Sequence, residues 1–547
     1  MRQCDGISGI DSQEVNQQRR RFVAGSGLLL GGTALGMAAS GPAAGATTAN
    51  STDNGKTMTS SQRYSPPDIV ALDALSLSAA IRDRQVSCRE VMAAYLSHIG
   101  RVNPRVNAIV ALQDGDALLR QADEKDRQLA AGQYLGWMHG MPHAVKDLAL
   151  TRGIRTTFGS PMFKDNVPKT DDIFVERIRK QGAILIGKTN TPEFGLGSNS
   201  YNPVYGITLN AYDQSRIAGG SSGGAAVALA LQMVPVADGS DMMGSLRNPA
   251  AFNNVYGFRP SAGAIPSGPG PELYLGGLST NGPMGRNVSD LARLMATQVG
   301  YDERAPMSTV QDAARYAQPL QRDFKGTRIG WLGDLHGYLT MEEGVMEVCR
   351  GSFGAFESLG CSVAEVGKAE LDFAPERLWH SWLVHRQSLL AGAWGEAYAD
   401  PARRALMKPE FVWEVENGMK WSARDFYRAS VERSAWYKAI HRLLERYDYL
   451  LMPTAQVFPF SAQEHWPKSI AGKPMDTYHR WMEAVIPASL AGTPAISVPA
   501  GFGRQGLPMG VQIIGKRFFD YEVLQLAYAY EQATHWERKR RPALLQA

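Results

Sequence analysis

Six consecutive small residues, Gly219-Gly220-Ser221-Ser222-Gly223-Gly224, leave the backbone bare around two hydroxyls. Such a run makes a turn whose amides a ligand can approach, because no side chains stand in the way. Ser245 follows 24 residues later (245 − 221), in Asp241-Met-Met-Gly-Ser-Leu-Arg247, a second turn of the same character. Lys146 lies 75 residues upstream (221 − 146), at the end of the apolar run Met141-Pro-His-Ala-Val. The chain must fold so that these turns meet an extended segment, or the pattern has no use.

The chemistry that joins them is acyl transfer. It needs a nucleophile, a base for its proton, an acid for the leaving group, and donors for the oxyanion. An apolar run ahead of Lys146 predicts a buried amine. Burial disfavours the ammonium and can bring a lysine near neutrality, where it is a workable base. Taken singly, a serine-glycine cluster is a turn and a lone lysine is solvated; the combination is what carries weight.

The first 46 residues are set aside from the fold. Arg19-Arg20-Arg21-Phe22 precedes a weakly apolar, glycine-rich stretch that ends at Ala44-Gly45-Ala46. A basic start, an apolar middle and a small-x-small site make a cleavable signal. The arginines ahead of Phe22 are those of a twin-arginine signal, so a periplasmic or secreted enzyme is expected. A permanent membrane anchor needs about 20 strongly apolar residues, and this stretch holds too many Gly, Ser and Thr. Without Cys4, the odd set Cys88, Cys349 and Cys361 predicts no disulfide framework. Cys349 and Cys361 either bridge or pack as small hydrophobes, and packing is favoured. A formal charge of +4 over 547 residues gives no reason to expect nucleic acid.

Residues 47–66 are small and polar and read as a flexible linker, leaving 67–547 as one catalytic domain. Ser87-Cys-Arg-Glu90 is a capping box that opens a helix. Short β-rich runs, Ala183–Gly187, Val234–Ala237 and Arg328–Leu332, alternate with helical ones such as Ala225–Gln232. That alternation predicts an α/β protein with helices on both faces of a central sheet. Eight of the 11 tryptophans fall between 370 and 485. They either pack helices or wall a substrate cavity.

The spacing of the trio resembles the amidase signature family of amide hydrolases. Further blocks are similar: Gly187-Lys-Thr-Asn-Thr-Pro-Glu-Phe-Gly195, Tyr205–Asn210, Gly257-Phe-Arg-Pro260, Gly282–Arg286 with Asp290, Gly492–Ser497 and Gly506–Gln512. The resemblance implies an α/β/α sandwich with a mixed, largely parallel sheet, and hydrolysis without metal or cofactor. It implies that Ser245 is the nucleophile and that Ser221, held by a cis peptide in the family, relays its proton to neutral Lys146. Backbone amides of Met242, Met243, Gly244 and Ser245 would then bind the oxyanion. Ser222, Asp241 and Arg247 would support the turns. Met243 stands where many members have glycine, which bears on the substrate. Ala211 and Ala264 depart from a common proline and arginine and bear on packing.

Other readings fit less well. Gly219–Gly223 matches the G-x-S-x-G elbow of α/β-hydrolases, but that elbow needs a strand directly ahead, and Asn210–Ala218 is a polar loop. No Lys-Ser/Thr follows the glycines, so they are not a phosphate loop. His139 and His143 have metal-like spacing, yet Gly140 and Pro142 break the helix it requires. A component of a complex, like the A-type chain of glutamyl-tRNA amidotransferase, is a different class within the same family, and export argues against it. A small-molecule amide is the expected partner, hydrophobic or aryl by preference, with a carbamate or peptide amide as alternatives. The enzyme is expected as a monomer or homodimer.

Overall fold

The computed structural model describes residues 65–546. The predicted signal, 1–46, and most of the predicted linker lie outside that range. The linker's end does not: Ser65 caps a helix over Pro66–Ala71, its N–H donating to the Asp68 carboxylate at 3.2 Å. Folded structure therefore starts a little earlier than composition suggested. The described residues form one compact unit, and one core cluster runs from Ile69 to Leu544.

Helix α1 (Cys88–Val102) begins where the capping box placed it. Ser87 N–H donates to the Glu90 carboxylate at 2.8 Å, and Glu90 N–H returns a bond to Ser87 Oγ at 3.1 Å. A small sheet follows: β1 (Ile109–Val110), β2 (Pro142–Lys146) and β3 (Ile184–Thr189), in the order β1-β3-β2. β2 is parallel to β3, and Lys146 pairs with Thr189. The glycine run ends in α2 (Gly223–Ala230), every residue of which is buried. No strand leads into Ser221, as the rejection of the elbow required.

The large sheet has eight strands: β4 (Ala237–Asp241), β5 (Tyr256–Arg259), β6 (Thr280–Gly285), β7 (Arg328–Trp331), β8 (Ser362–Glu365), β9 (Tyr449–Pro453), β10 (Ala495–Phe502) and β11 (Pro508–Ile514). Their order is β8-β7-β9-β11-β10-β5-β6-β4. The sheet is mixed, but it is not largely parallel. Only β8–β7 and β7–β9 pair parallel, and the other neighbours are antiparallel. Connection length explains this. β10 and β11 are joined by five residues, with Gly506 at φ +75°, and only antiparallel partners accept so short a link.

Helices complete the α/β fold: α3 (Arg247–Phe252) against β5, β10 and β11, then α4 (Glu376–Ala399), α5 (Pro409–Gly418), α6 (Ala423–Arg446) and α7 (Ile486–Ala491). Cys88, Cys349 and Cys361 are free and buried. No helix of the described residues is long and apolar enough to cross a membrane.

Candidate active site

Three elements bring the trio together. β2 ends on Lys146, the turn before α2 carries Ser221 and Ser222, and the turn after β4 carries Ser245. The lysine amine donates to Ser221 Oγ at 2.8 Å and to Ser222 Oγ at 2.8 Å. Ser240 Oγ stands at 3.0 Å and Ser240 O at 3.4 Å. Four oxygens exceed the three donors of an ammonium; a neutral amine donates two and accepts from a hydroxyl. Lys146 is 1% exposed. Burial pulls its amine down to about 7, against the push of Asp238 and Asp241, whose negative charges favour the ammonium.

The peptide between Gly220 and Ser221 is cis. Ser198 grips that turn, donating to Gly220 O at 2.6 Å and receiving Gly220 N–H at 3.1 Å. Ser222 N–H donates to Ser245 O at 3.1 Å, which ties the two serine turns to each other. Ser245 is 6% exposed and Ser221 2% exposed.

The Ser245 turn is built on a buried carboxylate. Asp241 accepts from Gly244 N–H at 2.9 Å and Leu246 N–H at 3.2 Å. It also takes Arg247 at 3.0 and 3.1 Å and Arg259 at 3.3 Å. Burial alone would raise its pKa; the guanidiniums of Arg247 and Arg259 overcome that and hold it well below the usual carboxylate range. Arg247 continues to Gln512 Oε1 at 2.7 Å, Ser489 Oγ at 2.9 Å and Val485 O at 3.1 Å. Gly244, at φ +76°, has no room for a side chain: a Cβ there would meet Val485 at 2.7 Å.

Two expectations need correction here. Gly244 N–H already serves Asp241, so of the four amides predicted for the oxyanion it is the one engaged elsewhere; Met242, Met243 and Ser245 are the amides the carboxylate does not take. Met243 is 2% exposed and belongs to the core. The side chain that turns toward the tryptophan-rich helices is Met242, whose Sδ lies 3.4 Å from Arg386 Nη1.

Three neighbours escaped the sequence reading. Ser240 and Asp238 alternate on β4, so both reach the lysine from one face. Arg259 is a charge inside an apolar strand, and a buried charge must be paired. His139 and His143 do not converge: His139 Nε2 faces Lys125 O at 2.9 Å, and His143 Nε2 faces Asp238 at 2.9 Å. Among the described residues no three His, Cys, Asp or Glu side chains group as metal ligands.

The tryptophans divide between packing and the site's border. Trp382, Trp436 and Trp481 are fully buried. Trp394 joins a second apolar cluster with Phe194 and Phe411, at ring separations of 4.6 and 5.6 Å. Phe194 is followed by Gly195, whose backbone lies close to the trio: a Cβ there would sit 3.4 Å from Ser221 Oγ.

The Amidase family profile matches residues 90–524. The chain belongs to the Amidase family. An acylamidase of Rhodococcus erythropolis is 31% identical, over 86% of this chain and 97% of its own length. The A-type chain of the glutamyl-tRNA(Gln) amidotransferase of Acaryochloris marina is 32% identical, over 86% and 99%. Among solved structures, a bacterial aryl acylamidase of the amidase signature family superposes with a TM-score of 0.79 at 26% identity, over 85% of this chain and 97% of that one. The 6-aminohexanoate cyclic dimer hydrolase bound to substrate gives 0.76 at 26% identity, over 87% and 99%. This family member is thus an amide-hydrolysing enzyme with the amidase signature fold.

Proposed function

We propose that the enzyme cleaves hydrophobic or aryl amides through an acyl-enzyme on Ser245. One observation carries this: a fully buried lysine amine 2.8 Å from the Ser221 hydroxyl. Neutral Lys146 takes the Ser221 proton as Ser221 takes that of Ser245. The Ser245 oxygen attacks the carbonyl carbon, and the oxyanion is met by the Met242, Met243 and Ser245 amides. The proton returns through Ser221 to the leaving nitrogen as the C–N bond breaks. Water, deprotonated by the same relay, then releases the carboxylate.

The aromatic cluster of Phe194, Trp394 and Phe411, which joins the chain one residue before the Gly195 that neighbours Ser221, supports a large apolar substrate, and so does likeness to an acylamidase and an aryl acylamidase. A panel of aryl amide, fatty amide, carbamate, peptide amide and acetamide, run on wild type and Ser245→Ala, tests it. Acetamide turned over as well as the aryl amide overturns the substrate class. Turnover surviving Ser245→Ala overturns the mechanism.

A second reading rests on the 32% identity to the amidotransferase component: this chain would work within a complex. Turnover by the purified single chain separates the two. We propose also that residues 1–46 export the folded enzyme through the twin-arginine route.

A further inference from the structure

A carboxylate outside the trio is bonded to the end of the lysine's strand from a neighbouring one. Asp238 stands on β4, two residues before Ser240, and both side chains leave that strand on the face that meets Lys146. One Asp238 oxygen accepts the backbone N–H of Lys146 at 3.2 Å. The other is 2.9 Å from His143 Nε2. Asp238 and His143 are both fully buried, and His143 Nδ1 has no partner. A carboxylate oxygen only accepts, so Nε2–H donates to Asp238.

We propose that Asp238, held by His143, is a positioning residue that sets the pH at which Lys146 becomes available as a base. The proposal rests on the reading of Lys146 as that base. Other charged groups pack nearby. Asp241, at the end of β4, faces the guanidiniums of Arg247 and Arg259. Lys188, on β3, donates to Ala149 O and Thr151 Oγ1 at 2.7 Å each, with the carboxylates of Asp147, Asp238 and Asp172 acting on it. Asp147, next to Lys146 in sequence, accepts from Thr157 N–H at 3.0 Å and Thr157 Oγ–H at 2.5 Å. Asp238 differs from these because it bonds the Lys146 backbone itself, with the His143 imidazole on its other oxygen. Bonded to the backbone N–H of Lys146, its negative charge favours the ammonium of that residue, while burial favours the neutral amine. Opposed in this way, the two hold the base near neutrality, where it both accepts and returns a proton efficiently.

The test is the pH profile of kcat/KM in the full chain. Asp238→Asn keeps the shape and removes the charge. The acid limb should then move down by about one pH unit, with about tenfold more activity below the original limb. The double replacement His143→Leu with Asp238→Leu exchanges the pair for packed apolar groups, which folds accept readily, and should shift the limb the same way. A merely structural role would lower kcat/KM at every pH and leave the limb in place. An unmoved or raised limb in either folded variant overturns the proposal. Lys146→Ala runs alongside as the control. Full activity with an unchanged limb there removes Lys146 as the base. A limb lost there but unmoved by Asp238→Asn removes only the role of Asp238.

Discussion

The amine of Lys146 stands 2.8 Å from the hydroxyl of Ser221, and at the same distance from that of Ser222. Geometry alone does not distinguish the two serines as relays; position does. Ser222 Oγ also accepts from Ser240 N–H at 3.4 Å, which anchors it to the sheet, whereas Ser221 lies on the side of the turn beside Gly195. Ser221→Ala and Lys146→Ala should each lower kcat/KM by about 10²–10⁴-fold, the range of a lost acid–base group. Ser222→Ala should cost less than either. Steady-state kinetics on an aryl amide checks the ranking, and a Ser222→Ala loss equal to that of Ser221→Ala contradicts it. Treatment with a chelator should leave turnover unchanged.

The pH dependence follows from burial. Lys146 is drawn down to about 7, so below that pH the amine is protonated and cannot accept from Ser221. Above it the neutral form dominates. Activity should therefore rise through neutrality to an alkaline plateau. A kcat/KM profile on wild type measures this, and an optimum near pH 5 is incompatible with a neutral-lysine base.

Asp241 is predicted to matter for stability as much as for rate. Removing it leaves the Arg247 and Arg259 guanidiniums buried without a counter-charge and frees the Gly244 and Leu246 amides. Breaking one partner of a buried pair costs about 3–5 kcal/mol. Asp241→Ala should show that loss in urea denaturation, with activity falling because the Ser245 turn loosens. An unchanged midpoint would show that the turn holds itself.

Much of this is readable from the chain alone, for local reasons. Glycines around Ser221 and Ser245 are demanded by close packing: a Cβ on Gly224 would sit 2.3 Å from Asn190 N, and one on Gly244 would strike Val485. Such residues announce themselves in any sequence. The Ser87 cap is equally local. The sheet's weight of antiparallel pairing is legible in Gly503–Leu507, a short glycine-bearing link between apolar runs, but the β-rich runs upstream suggest crossovers. The pairing of Arg259 with Asp241 spans 18 residues, and that of His143 with Asp238 spans 95. No periodicity links such partners, so only the folded chain reveals them. Met243 failed for a related reason, since adjacent residues in a turn point apart and the sequence does not say which one is buried.

Export is testable without kinetics. The arginines at 19–21 are what the twin-arginine route reads, so changing Arg19, Arg20 and Arg21 to Lys should leave precursor in the cytoplasm. Fractionation followed by immunoblotting reports it. Undiminished export of that variant refutes the assignment.

Substrate preference should depend on the aromatic border of the site. Phe194, whose ring is 4.6 Å from Trp394 and 4.7 Å from Phe411, directly precedes Gly195, whose backbone lies close to the Ser221 hydroxyl. Burying one more apolar ring against such a wall contributes about 1.5–3 kcal/mol, or roughly tenfold to a hundredfold in kcat/KM. An aryl amide should accordingly exceed acetamide by at least that factor. Phe194→Ala should erase most of the difference by lowering the aryl amide alone. Met242 adds a second, softer contact, because a thioether moulds to a ring and its sulfur already reaches Arg386. Met242→Ala should weaken the aryl amide by a smaller factor, and Met243→Gly, made in the core, should destabilise the protein rather than change its preference. The decisive comparison is the ratio of kcat/KM values for the two amides across these three variants. A ratio untouched by Phe194→Ala places the substrate elsewhere, and a ratio altered by Met243→Gly without loss of stability returns that residue to the site.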